Sequence, residues 1–449
     1  MSSATAFHCE LAWLGGDEAV ANVAVHVQGS RITGVVPGVE SPTGAVRLSG
    51  LTLPGLANSH SHAFHRALRS RTHGGGGTFW TWRDEMYALA KVLDPDSYFR
   101  LARAAFAEMV CAGITCVGEF HYVHHDQSGS RYNDPNEMGQ ALIGAASEAG
   151  LRITLLDTCY LSGGFGVDLN DVQRRFSDGT AEAWAERVEA LTTSDTGVNV
   201  LVGAAVHSVR AVDADSIGTV ASWAACRRVP IHAHVSEQPA ENDQCVRAYG
   251  RSPMQVLSDS GVLSDRFSAV HATHLLAADV DLLARSGATV CLCPTTERDL
   301  ADGIGPTAEL RSAGVPITLG SDSHAVVDLF EEARAVEMGE RVTTLQRGSH
   351  QVAALLRAAT SDGQASLGWS HAGRIEVGAL ADLVSISADT VRTAGMSRAT
   401  ALATAVYAAS AADVHHVVVG GRVVVADHCH STIDVVSELR ASIAAVTVD

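Results

Sequence analysis

Four stretches of this chain end in residues able to hold a metal ion. Asn58-Ser59-His60-Ser61-His62 sets two imidazoles two residues apart, and on an extended strand such residues face the same side. His232-Ala233-His234-Val235-Ser236-Glu237 adds a second such pair followed by a carboxylate. His271 lies in Val270-His271-Ala272-Thr273-His274, and Ser321-Asp322-Ser323-His324 closes another apolar run. Each piece alone has an ordinary explanation: a polar strand edge, a satisfied core histidine, an aspartate capping a helix. Together, imidazoles with one carboxylate suit Zn²⁺ with a position left open for water, and Fe²⁺ accepts the same donors. His60, His62, His234 and Asp322 are therefore read as ligands of a metal that lets a bound water ionise near neutral pH. Glu237, three residues past a ligand, can carry a proton from that water to a leaving nitrogen. His271 is read as polarising the water or the tetrahedral centre.

These residues need a scaffold that brings strand ends together. Apolar strand-like runs occur at 51–58, 114–120, 152–160, 199–207, 229–236, 267–273, 288–294 and 316–322, separated by helical stretches such as 97–113 and 181–193. This alternation predicts an α/β fold with parallel βαβ units, a (β/α)8 TIM-like barrel whose site sits at the C-terminal strand ends. A doubly wound open sheet is the alternative, disfavoured because no glycine-rich dinucleotide turn follows the first strand. Alternating segments at 19–49, 381–389 and 414–427, with breaks at Gly29 and Gly34, predict a small β-sandwich built from both termini. The expected division is 1–50 and 371–449 for that sandwich and 51–370 for the barrel.

Composition narrows the partners. The 449 residues are 46% hydrophobic and 18% charged, as in compact folded chains. A net charge of −18 argues against nucleic acid and anionic membranes. No run of about 18 apolar residues suggests a membrane span, and the first residues lack a basic, then apolar, signal pattern. Nine scattered cysteines without a CxxC fit reduced thiols in a cytoplasm. Cys291-Leu292-Cys293-Pro294 has the wrong spacing for the zinc deaminases that use HxE with PCxxC. An acidic substrate would need a local cluster of Arg, His or Tyr to overcome the global field.

From about residue 10 onward the motifs resemble the amidohydrolase superfamily. GLANSHSHAFHRAL (55–68), TFWTWRDEMYALA (78–90), GEFHYVHHD (118–126), QRRF (173–176) and HSVRAV (207–212) resemble its formimidoylglutamate deiminases, and HVSEQ, VHATH and GSDSH follow in order. The resemblance implies hydrolysis of N-formimino-L-glutamate to N-formyl-L-glutamate and ammonia in histidine degradation, in a cytoplasmic homodimer. It implies that Arg83, Tyr122, His207 and Arg210, on loops after strands one, two and four, bind the substrate carboxylates, with His65 nearby. Forked guanidinium groups suit such anions. Binuclear members bridge two metals with a strand-four lysine; the single lysine here is Lys91, which implies one metal per chain. His65 stands where Gln is expected, and Asp299 where Asn is expected. Trp80 and Trp82 are read as packing, and the glycines at 74–77 as a hinge delivering Arg83. A deaminase of a purine- or pyrimidine-type ring would share the metal residues. A catalytically silent metal-binding scaffold would be expected to have lost one of them.

Overall fold

The computed structural model describes residues 4–73, 79–192 and 197–447. Among the described residues, sixteen strands form two sheets of eight. The N-terminal strands are β1 (Ala4–Ala12), β2 (Val20–Gln28), β3 (Arg31–Val36) and β4 (Val46–Pro54). The barrel strands are β5 (Leu56–Ser61), β6 (Ile114–His121), β7 (Arg152–Cys159), β8 (Val200–Val206), β9 (Ile231–Val235), β10 (Phe267–His271), β11 (Thr289–Leu292) and β12 (Ile317–Leu319). Then follow β13 (Leu383–Ile386), β14 (Val414–Val419), β15 (Arg422–Ala426) and β16 (Cys429–His430).

Strands β5 to β12 pair in sequence order, each parallel to the next. Both faces are covered, inside by facing strands and outside by helices. That is why β6 and β7 are buried at every residue and read as near-continuous apolar runs. The ring closes between its first and last elements. Asp322 N donates to His60 O at 3.0 Å and His62 N to Asp322 O at 3.2 Å. Candidate ligands thus supply the closing backbone bonds.

The terminal segments assemble one sheet in the order β16-β15-β14-β13-β4-β1-β2-β3. The expected sandwich is continuous in its hydrogen bonding, with β1 and β4 parallel and the other pairs antiparallel. It encloses its own core of Phe7, Val25, Ile32, Leu48, Leu383 and Val418.

Three expectations need correction. The apolar run 51–58 is not one strand: β4 ends at Pro54 against Leu383, and the barrel begins at Leu56. Gly55 makes the crossing, where any Cβ would collide with Thr115 and Asp382. Gly34 lies inside β3, whereas Gly29, with φ +61°, turns the chain as expected. Arg83 is not on an irregular loop but on a helix, Phe79–Val92, inserted after β5. Its middle, Arg83 to Lys91, contains no breaker and mostly good helix formers. The glycines at 74–77 lie outside the described residues.

Candidate active site

His60 and His62 leave the end of β5, His234 that of β9, and Asp322 follows β12. One donor atom from each of the four lies within 4.8 Å of the others. His60 Nε2 and His62 Nε2 stand 3.3 and 3.4 Å from Asp322 Oδ1, and His234 Nε2 is 3.2 Å from His60 Nε2. The far sides of two rings are fixed: His62 Nδ1 donates to Phe120 O at 3.0 Å and His234 Nδ1 to His207 O at 2.8 Å. Since carbonyls only accept, both Nε2 atoms present lone pairs to the cluster. Buried lone pairs facing a carboxylate fit a cation, and the three-histidine, one-carboxylate set suits a four- or five-coordinate ion with an open position. Burial holds His60 below its usual pKa, and His62 and His234 well below it, in the neutral ligating form. Burial works against charge on Asp322 too, but the hydrogen bond from His60 and the neighbouring imidazoles keep it ionised.

The strand ends around this cluster are strained. Ser236, His271, Ala272, Asp322 and His324 have φ between +41° and +64°, a region that non-glycine residues enter at a cost of about 1–3 kcal/mol each. Such geometry persists only where the surroundings over-determine it.

Glu237 and His271 complete the floor. Glu237 Oε1 is 3.7 Å from His271 Nε2, and Oε2 is 3.9 Å from Arg210 Nη2. Burial raises the Glu237 pKa, tempered by His271 and Arg210. His271 Nε2 lies 3.9 Å from Asp322 Oδ2, and its Nδ1 3.5 Å from Glu297 Oε1. Burial opposes charge on His271, yet Glu237, Glu297 and Asp322 together hold its pKa well above the ordinary value.

One pocket of about 690 Å³, its solvent-open mouth included, brings the remaining predicted residues to this floor. His65, Arg83, Tyr122, His207 and Arg210 line its walls, while His62, His234, Glu237, His271 and Asp322 reach its base. His60 is fully buried and absent from the lining. His65 Nε2 is 3.1 Å from Tyr122 Oη, and burial pushes its pKa down to about 3. Tyr122 is held as a phenol, chiefly by burial, and His207 as neutral imidazole by burial, Arg210 and Arg83. Arg210 is 14% exposed, and its Nε makes no hydrogen bond among the described residues; the nearest carboxylate oxygens there are at 3.8 Å (Glu241) and 3.9 Å (Glu237). The Arg83 guanidinium lies 5.5 Å from the centroid of the Tyr87 ring. Trp82 packs edge-on against His65, ring centroids 5.0 Å apart, and also lines the pocket; the Trp80 side chain lies outside the described residues. Asp299 does not line it, and pairs with His73 at 2.6 Å.

Several participants received no role from the sequence, even where they lie in a quoted motif. Gln173 donates to Tyr160 Oη at 2.8 Å and to Tyr87 Oη at 3.0 Å, tying the wall together. Tyr160 directly follows β7, so its strand-end position was the available signal. Glu297 accepts from Cys293 N at 2.8 Å while facing His271, and Glu119 accepts from Ala63 N at 2.6 Å and Ser61 Oγ at 2.7 Å. Neither residue has a distinctive spacing to a ligand. A second buried group, His121, His124 and Asp157, sits beside β6 and β7. It already holds a cation, since Arg187 donates to both Asp157 oxygens at 2.7 and 2.8 Å.

Comparison with known proteins bears on this geometry. The sequence pattern of the Amidohydrolase family matches residues 51–424. Formimidoylglutamate deiminase of Pseudomonas aeruginosa is 38% identical over 86% of this chain and 87% of its own. A 5-methylthioadenosine/S-adenosylhomocysteine deaminase of Halobacterium salinarum is 30% identical over 84% and 82%. Among solved structures, an amidohydrolase from Brucella melitensis superposes with a TM-score of 0.91 at 30% identity, covering 98% of this chain and 99% of that one.

Proposed function

The chain belongs to the amidohydrolase family and is a metal-dependent hydrolase of C–N bonds, and from that premise we propose that it deiminates N-formimino-L-glutamate to N-formyl-L-glutamate and ammonia. The observation that carries the substrate is Arg210: a largely buried guanidinium on the pocket wall, short of hydrogen-bonded partners, with Arg83 on the same wall. Two cations amid neutral donors from Tyr122, His207 and His65 suit a dicarboxylate, and locally offset a chain charge of −18. In this reading the enzyme is a cytoplasmic homodimer that holds one Zn²⁺ per chain and serves histidine degradation.

His60, His62, His234 and Asp322 hold the metal, which when bound supplies the Lewis acidity that ionises water near neutral pH. Arg83 and Arg210 anchor the glutamate carboxylates and set the formimino carbon over the pocket floor. Glu237 takes a proton as the water oxygen bonds to that carbon. His271 donates toward the oxygen as negative charge gathers there. Glu237 then hands that proton to the imino nitrogen, takes the remaining proton from the added hydroxyl as the formyl C=O forms, and passes it to the same nitrogen, so that the C–N bond breaks and ammonia departs. A buried carboxyl with a raised pKa suits that shuttle.

A ring deaminase is the second reading, favoured by the likeness to the methylthioadenosine-type deaminase. A catalytically silent scaffold is disfavoured because every proposed ligand and the proton carrier are present and convergent. Ammonia release from N-formimino-L-glutamate, N-formimino-L-aspartate, purines and pyrimidines separates the three. Turnover confined to formimino acids is expected, and Arg210→Ala should lower kcat/KM by roughly 10–100-fold, the worth of a lost charged hydrogen bond. Turnover of a ring base untouched by Arg210→Ala would overturn the substrate assignment.

A further inference from the structure

A third cluster of imidazoles stands far from the barrel mouth, in the sheet built by the chain ends. His415, His416 and Asp427 each offer a donor atom within 4.8 Å of the others. They lie at the opposite end of the barrel from its site. Val414 comes within 3.4 Å of where a Cβ on Gly113 would be, and Gly113 directly precedes β6, whose other end points to the site.

Two local features create the cluster. Neighbouring residues on a strand normally point to opposite faces. Here β14 carries a bulge: Ser385 pairs with His416 and Ile386 with Val414, leaving His415 as the extra residue. A bulge re-aims side chains, and it brings the two imidazoles together with ring centroids 4.4 Å apart. The second feature is the two-residue turn from β15 to β16. Val425 pairs with His430 and Ala426 with Cys429, so Asp427 and His428 form the tip, with φ +49° and +65°. Both residues of a type I′ turn need positive φ, a place usually given to Asn and Gly. His428 N donates to His415 O at 3.1 Å, which folds the tip over the bulge. Asp427 Oδ1 then lies 3.1 Å from His415 Nε2, and the His428 ring 5.0 Å from the His415 ring.

The three side chains offer donors close enough to hold a cation. His415 Nδ1 and His416 Nδ1 stand 2.7 Å apart, so at most one can carry a proton there. We propose that His415, His416 and Asp427, with His428 beside them, form a second metal site, for a borderline transition-metal dication such as Zn²⁺ or Ni²⁺. Imidazole with carboxylate selects that class over Mg²⁺ or Ca²⁺, which want oxygen donors. Metal–nitrogen bonds of about 2.0–2.1 Å need the two Nδ1 atoms to part slightly, and the exposed Asp427 carboxylate, now on His415 Nε2, to swing across to the ion. Rotation of rings that are only partly buried provides this, the His415 side chain being 23% exposed. Two side chains at the tip of a turn leave the ion open to water and exchangeable, unlike the enclosed barrel cluster.

The test begins with holoenzyme loaded with one zinc per chain and freed of excess metal. Zn²⁺ and Ni²⁺ are titrated against a chromophoric competitor. A second equivalent per chain is expected, with affinity falling roughly 10–100-fold or more in His415→Gln, His416→Gln and Asp427→Asn. The barrel metal, turnover and circular dichroism should stay as in the parent. Cu²⁺ added to the zinc-loaded protein should show imidazole nitrogen splitting by electron paramagnetic resonance, lost in the His415→Gln/His416→Gln double variant. A single equivalent in the parent, or a second one that survives the double variant, would overturn the proposal.

Discussion

Glu237 stands 3.7 Å from His271 and 3.9 Å from Arg210, so one buried carboxylate faces both the proposed reacting centre and the proposed substrate anchor. Its replacement separates those duties. Glu237→Gln keeps the shape but cannot accept the water proton, and kcat should fall by about 10²–10⁴-fold while bound metal stays at the parent level. Paired turnover and metal analyses check this; a loss of metal in step with activity would mean that Glu237 supports the site rather than the proton transfer. His65 makes a different claim. Burial pushes it down to about 3, so it is a neutral donor throughout the working range, as a glutamine would be. His65→Gln should therefore leave the shape of the pH profile of kcat/KM unchanged from pH 5 to 9. A profile whose acid limb moved would show that His65 titrates in the free enzyme.

At the scale of elements, the end of β5 that carries the candidate ligands is held by its neighbour β6. Glu119 accepts from Ser61 Oγ and Ala63 N, residues that flank His62, and Ser61 Oγ lies 2.9 Å from His324 Nε2 beyond β12. Burial raises the Glu119 carboxyl to about 8. Glu119→Ala removes both acceptors and leaves the turn to relax, so metal affinity should fall roughly 10–100-fold, read as faster loss to a chelator. Retention equal to the parent would show that ring closure through His60, His62 and Asp322 suffices. The inserted helix Phe79–Val92 works in the same manner on the substrate side, placing Trp82, Arg83, Met86 and Tyr87 along one wall.

For the molecule as a whole, barrel and terminal sheet are joined by a buried ion pair. Arg152, opening β7, meets Asp382, just before β13, and both side chains are inaccessible to water. Asp382 also accepts from Gly420 N at 2.8 Å, and its backbone carbonyl accepts from Gly55 N at 2.9 Å, where the chain passes between the sheets. Asp382→Ala leaves a buried guanidinium unpaired and should destabilise the fold by about 3–5 kcal/mol, measured by denaturant unfolding. A change under about 1 kcal/mol would mean that water reaches Arg152 and that the junction is looser than its burial indicates. No helix among the described residues is long and apolar enough to cross a membrane.

Strand type, barrel architecture and the candidate metal residues were legible in the amino-acid order because each depends on short-range pattern. Fully buried parallel strands must be apolar throughout, and ligands must sit where strands end. The proposed carboxylate-binding wall was legible only through family motifs, since Arg83 and Arg210 lie 127 positions apart and nothing local relates them. What the sequence could not decide was the division of 51–58 between two sheets, because apolar character does not say which neighbour a strand will pair with. Nor could it show the Glu119 brace, the Gln173 tie between two tyrosines, or the meeting of His415 and His416 through a bulge. These are contacts between distant or re-aimed side chains, fixed by register and closure, and only the folded chain sets them.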